Sequence, residues 1–415
     1  MNSINIPFHR PTIEQDEIDE VVQTLRSGWL TTGPRTAAFE QDFKKYVGAP
    51  HAQAVNSCTA GLHLSLAGLG IGPGMEVITT PLTFCATVNV ILHAGATPVL
   101  ADVGPDGNID PESVASRITG KTRAIVPVHL AGLPCQMNPL WALARKQGLH
   151  VIEDAAHAAG ARYQNQPVGS GNNQSDAAVF SFYATKNLTT GEGGMIATAN
   201  EALADKIKIL CLHGISKNAW DRYTDRGHWY YDVLVPGYKY NLTDLQSAIG
   251  LHQLRKLDRF IETRTRYAGL YSRLLGGVEE VELPSDRPDS RHAWHLYMLR
   301  LRLEKLQITR DEFITELRER GIGASVHFIP IPLHRFFSAF AHRPENQCPR
   351  ALELYPRLVS LPLYPGMSEP EVEFVASAAR DILQKARKRR PVFALEAAAA
   401  AGVPESLSPE TVTTH

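Results

Sequence analysis

Val151-Ile152-Glu153-Asp154-Ala155-Ala156-His157-Ala158 is an apolar run that ends in an acid and passes into small residues. It reads as a buried strand with Asp154 at its carboxyl end. Working outward, residues 52–197 repeat this alternation of short apolar runs and longer amphipathic stretches. The other candidate strands are Gln53-Ala54-Val55, Glu76-Val77-Ile78-Thr79, Pro98-Val99-Leu100-Ala101, Ala124-Ile125-Val126-Pro127-Val128, Ala177-Ala178-Val179-Phe180-Ser181 and Gly194-Met195-Ile196-Ala197. Between most of them lies enough chain for a crossover helix, such as 139–147 with its apolar residues at helical spacing. Seven such strands predict an α/β architecture, a mostly parallel seven-stranded sheet with helices on both faces. Helices expected at 57–69 and 85–94 begin with small or polar residues just after a strand, so their N-termini are placed to face a ligand.

A chain of 415 residues exceeds what one hydrophobic core usually holds, so a second, smaller unit is expected. After Asn241-Leu242-Thr243-Asp244 a long helical pattern runs through Leu251, Leu254, Leu257, Phe260 and Ile261. Beyond it, strands are expected at 295–301 and at Ser325-Val326-His327-Phe328, with a charged helix at 310–320. The reading is a large α/β domain with an N-terminal arm at 1–250, a small α+β domain at 251–385 and a disordered tail at 386–415.

Composition narrows the function. With 42 Lys+Arg against 43 Asp+Glu, no global basic field exists to grip nucleic acid. No apolar stretch approaches the roughly 18 residues of a membrane span, and Met1-Asn2-Ser3-Ile4-Asn5-Ile6-Pro7-Phe8 lacks a signal pattern, which predicts a cytoplasmic protein. The five cysteines Cys58, Cys85, Cys135, Cys211 and Cys348 are scattered and never form a CxxC pair, which argues against a disulfide framework and against a zinc site. No GxGxxG, Walker, HExxH or GxSxG pattern occurs.

The remaining chemistry sits at strand ends. Ser181-Phe182-Tyr183-Ala184-Thr185-Lys186-Asn187, followed by Gly191-Glu192-Gly193-Gly194, puts a lysine in a loop after a buried strand. Alone, a solvated loop lysine explains it; desolvated, its amine would have a lowered pKa and could bond an aldehyde cofactor. Asp154 could be a helix N-cap, or the carboxylate that keeps the pyridine nitrogen of pyridoxal phosphate protonated. Asn56-Ser57-Cys58-Thr59-Ala60-Gly61 could be an ordinary cap or a phosphate cup. Phe84, in Pro81-Leu82-Thr83-Phe84-Cys85-Ala86-Thr87, could be core or could stack on a planar ring. Lysine, acid, phosphate cup and aromatic lid together point to pyridoxal phosphate.

Residues 6–383 resemble the DegT/DnrJ/EryC1/StrS family of sugar-nucleotide aminotransferases, pyridoxal-phosphate enzymes of fold type I. Ser27-Gly28-Trp29-Leu30-Thr31-Thr32-Gly33-Pro34, Glu153-Asp154-Ala155-Ala156-His157-Ala158, Pro236-Gly237-Tyr238-Lys239-Tyr240-Asn241-Leu242-Thr243-Asp244 and His292-Ala293-Trp294-His295-Leu296 look most similar to the UDP-4-amino-4-deoxy-L-arabinose–oxoglutarate branch. The resemblance implies that Lys186 carries the cofactor and shuttles the proton, Asp154 pairs with the pyridine nitrogen, and Phe84 covers one ring face. It sets His157, where many relatives have Gln, against the other face or near the ring hydroxyl. Ser57, Cys58, Thr59 and Ser181 would surround the phosphate, with Asn241 reaching it across a homodimer interface. His327, Arg222 and Thr31 would contact substrate. Glutamate would donate the amino group and a nucleotide-linked 4-keto sugar, UDP-linked, would accept it, for lipid A or polysaccharide modification. Lys186 speaks against the family's dehydratases, which carry histidine there. Two rival readings are a cofactor-free binding or regulatory protein on the same fold and a pyridoxal enzyme acting on amino acids alone.

Overall fold

The computed structural model describes residues 5–170, 174–216, 231–284, 286–338 and 347–388. An N-terminal arm carries helices α1 (Gln15–Ser27) and α2 (Pro34–Val47). The sheet is built from β1 (His51–Val55), β2 (Glu76–Thr79), β3 (Thr97–Leu100), β4 (Thr122–Val126), β5 (His150–Asp154), β6 (Ala177–Ser181) and β7 (Gly194–Thr198), in the spatial order β1-β7-β6-β5-β4-β2-β3. From β6 to β3 all neighbours are parallel; β7 alone runs against both of its neighbours, β6 and β1. Each of the seven expected strands forms.

The strands read as continuous apolar runs because both faces are covered. Successive side chains point to opposite faces, so Val151 packs with Trp141 and Leu140 while Ile152 packs with Leu62 and Leu66. Val179 and Phe180 divide in the same way between two cores. The covering helices are α3 (Cys58–Gly68), α4 (Ala86–His93), α5 (Pro111–Arg117), α6 (Met137–Gln147) and α7 (Glu201–Cys211). Helix α3 lies close on the sheet because Gly61 has no side chain; a Cβ there would come within 2.5 Å of Val179.

Helix α8 (Asp244–Leu275) is 32 residues long and runs unbroken through residue 250, the expected border between the two units. Its side chains change partners instead near residue 264. Leu251, Leu254, Leu257 and Ile261 join the core of the large sheet, whereas Tyr267, Leu270, Tyr271 and Leu275 join the C-terminal core. The helix start explains the Asn-Leu-Thr-Asp string. Thr243 and Gln246 form a capping box for α8, while buried Asp244 accepts from the Gly33 and Thr36 amides at 2.8 and 2.9 Å and thereby caps α2.

The C-terminal part holds β8 (Val281–Glu282), β9 (Tyr297–Leu301) and β10 (Leu358–Leu361), with α9 (Arg310–Glu319), α10 (Pro349–Leu354) and α11 (Glu369–Lys385). One expectation fails here: residues 325–328 are not a strand. Only Ser325 bridges to the sheet, through paired bonds with Ser360, and Pro330 and Pro332 follow too closely for pairing to extend. Of the expected tail, residues 389–415 lie outside the described residues, and residues 386–388 bond back to Lys305 and Gln307. Among the described residues no helix is long and apolar enough to cross a membrane.

Candidate active site

A cavity of about 490 Å³ opens at the carboxyl ends of β1, β5 and β6. Crossover connections in parallel sheets leave their strand ends and helix N-termini at one edge, so polar residues far apart in sequence converge there. Lys186, Asp154, His157, Ser57, Cys58, Thr59, Phe84, Ser181 and His327 all line this cavity.

At its floor, β1 ends at Val55 and the chain turns through Ser57, the N-cap of α3, whose hydroxyl accepts from the Ala60 amide at 3.1 Å. That bond uses Ser57 Oγ as acceptor, and its proton is directed to Asn56 Oδ1 at 3.4 Å. The remaining first-turn amides and the positive end of the helix make this corner a place for an anion. The backbone is packed tightly enough that a Cβ on Gly194 would come within 2.7 Å of the Cys58 nitrogen.

Asp154, only 5% exposed, closes β5. Its Oδ1 accepts from the Ala156 amide at 3.1 Å and its Oδ2 from Thr87 Oγ1 at 2.8 Å, while the Cys58 thiol lies 3.9 Å from Oδ1 and 3.5 Å from Val179 O. Burial raises its pKa, opposed first by the Thr87 bond, then by the Ala156 amide and the Lys186 charge. Burial, with the Asp154 charge beside it, pushes the Cys58 thiol well up.

Lys186 follows β6 in a turn closed by its own amide to Tyr183 O at 2.9 Å. Its accessible surface faces the cavity, and the protein packed around its amine lowers the pKa from 10.5 to about 8, against the pull of Cys58 and Asp154. The solvated-lysine alternative therefore does not describe this side chain.

The opposite wall is a set of imidazoles. His157 Nδ1 accepts from the Ala131 amide at 3.2 Å, its ring centre lies 4.3 Å from that of His295, and it stacks on Phe328 at 5.7 Å. Burial holds His157 and His295 well below the usual histidine range, and Lys186 adds to both. His327, fixed by Ser360 Oγ at 2.9 Å, is lowered to about 4 by burial and by Lys186. These rings face the cavity neutral. Phe84 is 61% exposed at the rim, 6.1 Å from Phe328, and so is not a core phenylalanine.

Thr31 and Asn241 are not among the residues lining this cavity. Thr31 accepts the Asp244 amide at 3.0 Å through its carbonyl, and Asn241 donates to Thr32 Oγ1 at 2.7 Å. Arg222 lies outside the described residues. Sequence reasoning missed Thr87, His295 and Phe328 as lining residues. Thr83 and Thr87, four apart at a helix start, were the available signal for the first of these.

The donor set fits pyridoxal phosphate. Lys186 supplies an amine of lowered pKa, Asp154 a carboxylate with a lone pair left for an N–H donor, and Ser57 with the start of α3 an anion corner. Residues 11–380 match the DegT/DnrJ/EryC1/StrS aminotransferase family. The chain is 50% identical over 383 residues to the spore coat polysaccharide biosynthesis protein SpsC of Bacillus subtilis, covering 92% of this chain and 98% of that one. Among solved structures it is similar to Spr1654 of Streptococcus pneumoniae in its PLP form, at 34% identity, TM-score 0.85 and coverage of 92% and 99%. It is also similar to the sugar aminotransferase CalS13 of Micromonospora echinospora, at 31% identity, TM-score 0.80 and coverage of 91% and 99%. The chain therefore belongs to the DegT/DnrJ/EryC1/StrS aminotransferase family, whose enzymes have the fold type I architecture and depend on pyridoxal phosphate.

Proposed function

We propose that this enzyme is a sugar aminotransferase that moves an amino group from glutamate to a nucleotide-linked keto sugar, a UDP-linked 4-keto sugar in the finer reading. The observation that carries the catalytic part is the half-buried Lys186, its pKa lowered to about 8, sharing one cavity with the buried carboxylate of Asp154. The relatives named for spore-coat polysaccharide and for sugar amination support a sugar acceptor. The strings resembling the arabinose branch support the UDP-linked 4-keto form, with an amino sugar for polysaccharide or lipid A modification as product.

Bound in this cavity, pyridoxal phosphate supplies an aldehyde carbon that exchanges for the amino group and a protonated ring that draws electrons from the bond being broken. Ser57, Cys58 and Thr59 at the start of α3, with Ser181, would hold its phosphate, and Asp154 would hold the ring nitrogen. Phe84 would cover one ring face and His157 would bound the other. Lys186 Nζ, free of its proton in a usable fraction near neutral pH, would be the group that bonds the cofactor. Once free of that bond, the same nitrogen would be the base that takes up and gives back a proton at Nζ. Donor and acceptor thus use one cavity in turn. His327 and the other neutral imidazoles offer hydrogen bonds without charge, which suits hydroxyl groups; Arg222 is proposed for carboxylate or nucleotide recognition. Asn241 and Thr31, which do not line their own chain's cavity, are proposed to complete the partner's site in a homodimer.

The test loads the full chain with pyridoxal phosphate and supplies glutamate with a panel of UDP- and dTDP-linked keto sugars or, separately, small keto acids, with mass detection of the amine product. An aminated nucleotide sugar and 2-oxoglutarate are expected. Amination of keto acids alone would establish the amino-acid enzyme instead, and failure to bind the cofactor would establish the binding protein.

A further inference from the structure

We propose that Thr87, backed by Thr83, is a positioning residue that fixes the Asp154 carboxylate so that one lone pair faces the ring nitrogen of pyridoxal phosphate. The inference rests on the cofactor reading of the cavity and concerns residues of α4 and its approach. Thr83 and Thr87 are 2% and 1% exposed, and their Oγ1 atoms are 2.8 Å apart. A hydroxyl has one proton to donate. Thr87 gives its proton to Asp154 Oδ2 at 2.8 Å, so the bond between the two threonines must run from Thr83 to Thr87. The direction of the chain is fixed: Thr83 to Thr87 to Asp154.

The carboxylate can then be counted. Oδ1 takes the Ala156 amide; the Cys58 thiol has one proton and lies nearer Val179 O, at 3.5 Å, than Oδ1, at 3.9 Å. Oδ2 takes Thr87, leaving a single acceptor direction on an atom of a residue that lines the cavity. The carboxyl torsion of an aspartate is broad, so without Thr87 the group could turn about its axis while Ala156 still held Oδ1. A capped helix start needs only the Ala156 bond. The threonine pair serves the other oxygen, and each hydroxyl polarises the next in this water-poor setting.

The experiment measures dissociation constants of pyridoxal phosphate and of its 1-deaza analogue, in which carbon replaces the ring nitrogen, on the cofactor-free full chain. For Thr87→Val, which keeps the shape and removes the hydroxyl, pyridoxal phosphate should bind roughly tenfold or more weaker, as expected for losing a hydrogen bond to a charged group. The analogue, which presents nothing to Asp154, should bind Thr87→Val and wild type within about twofold of each other, and Thr87→Ser should restore pyridoxal phosphate binding to within about threefold. Thr83→Val should show the same selectivity with a smaller loss. Wild-type affinity for pyridoxal phosphate in Thr87→Val overturns the inference, as does an equal loss for both compounds, which would indicate general damage. A wild-type protein that binds neither compound would overturn the cofactor reading itself, and this inference with it.

Discussion

Replacing Lys186 by methionine should stabilise the cofactor-free protein at neutral pH while ending turnover. The enclosed amine has its pKa lowered from 10.5 to about 8, mainly by burial. At about 1.36 kcal/mol per pH unit this amounts to about 3 kcal/mol of disfavoured charge, and water in the cavity screens part of it, leaving ~2 kcal/mol. The sign follows from proton binding. Below pH 8 the folded and unfolded lysines are both protonated and the full penalty stands. Between about 8 and 10.5 the unfolded chain binds the extra proton, so wild-type stability relative to the variant rises with pH. Above 10.5 the penalty is gone. Methionine has a similar volume, no charge and a flexible stem that can lie in the same channel. Thermal melts of both cofactor-free proteins at pH 7, 9 and 10.5 should therefore show the variant ahead by a few degrees at pH 7 and level at the highest pH. Equal melting at pH 7, or an advantage that does not shrink with pH, would refute the burial argument. The same lowering leaves roughly one amine in ten unprotonated at pH 7, against fewer than about one in a thousand for an ordinary lysine, which is why this side chain can act as a nucleophile.

Asp154→Asn keeps the shape but removes the charge set beside Lys186, and turnover should fall by more than about a hundredfold, with weaker cofactor binding measured by titration. Ser57→Ala removes the cap on the Ala60 amide and should cost about 1 kcal/mol in a denaturant titration, together with weaker binding of pyridoxal phosphate. Phe84→Ala should separate stability from binding. At 61% exposure the ring contributes little to folding, so melting of the cofactor-free protein should be unchanged, while the lost stacking should weaken cofactor affinity several-fold.

Much of the fold was legible because its signals are local. The strand centres at 77–78, 151–152 and 177–180 are apolar without alternation, since successive side chains feed cores on both faces of the sheet. Helix starts such as Thr243 with Gln246, Thr309 with Glu312 and Ser368 with Glu371 announce themselves through capping boxes. The stretch 325–328 misled because an extended, alternating tetrapeptide gives the same pattern whether or not a neighbour pairs with it; here one bridge forms and the side chains of His327 and Phe328 turn to the cavity. Asp154 was legible as a polar residue ending a buried strand, and Lys186 as one in the loop that follows another. Thr87 was not, because the Thr87 bond to Asp154 joins residues 67 apart, and the contact of the His157 and His295 rings likewise depends on two distant turns meeting.

By itself the sequence determined the layered α/β architecture, the strand ends that carry Asp154 and Lys186, and the small-residue helix start at Ser57, because periodicity, capping and turn chemistry act over a few neighbouring residues. Only the tertiary structure decided that these groups share one cavity, and that Lys186 loses pKa where a loop lysine would keep it. It also decided that the imidazoles stand neutral and that Thr87 holds one oxygen of Asp154. Desolvation and hydrogen-bond direction depend on which distant segments are packed around a group, and the order β1-β7-β6-β5-β4-β2-β3 sets that packing.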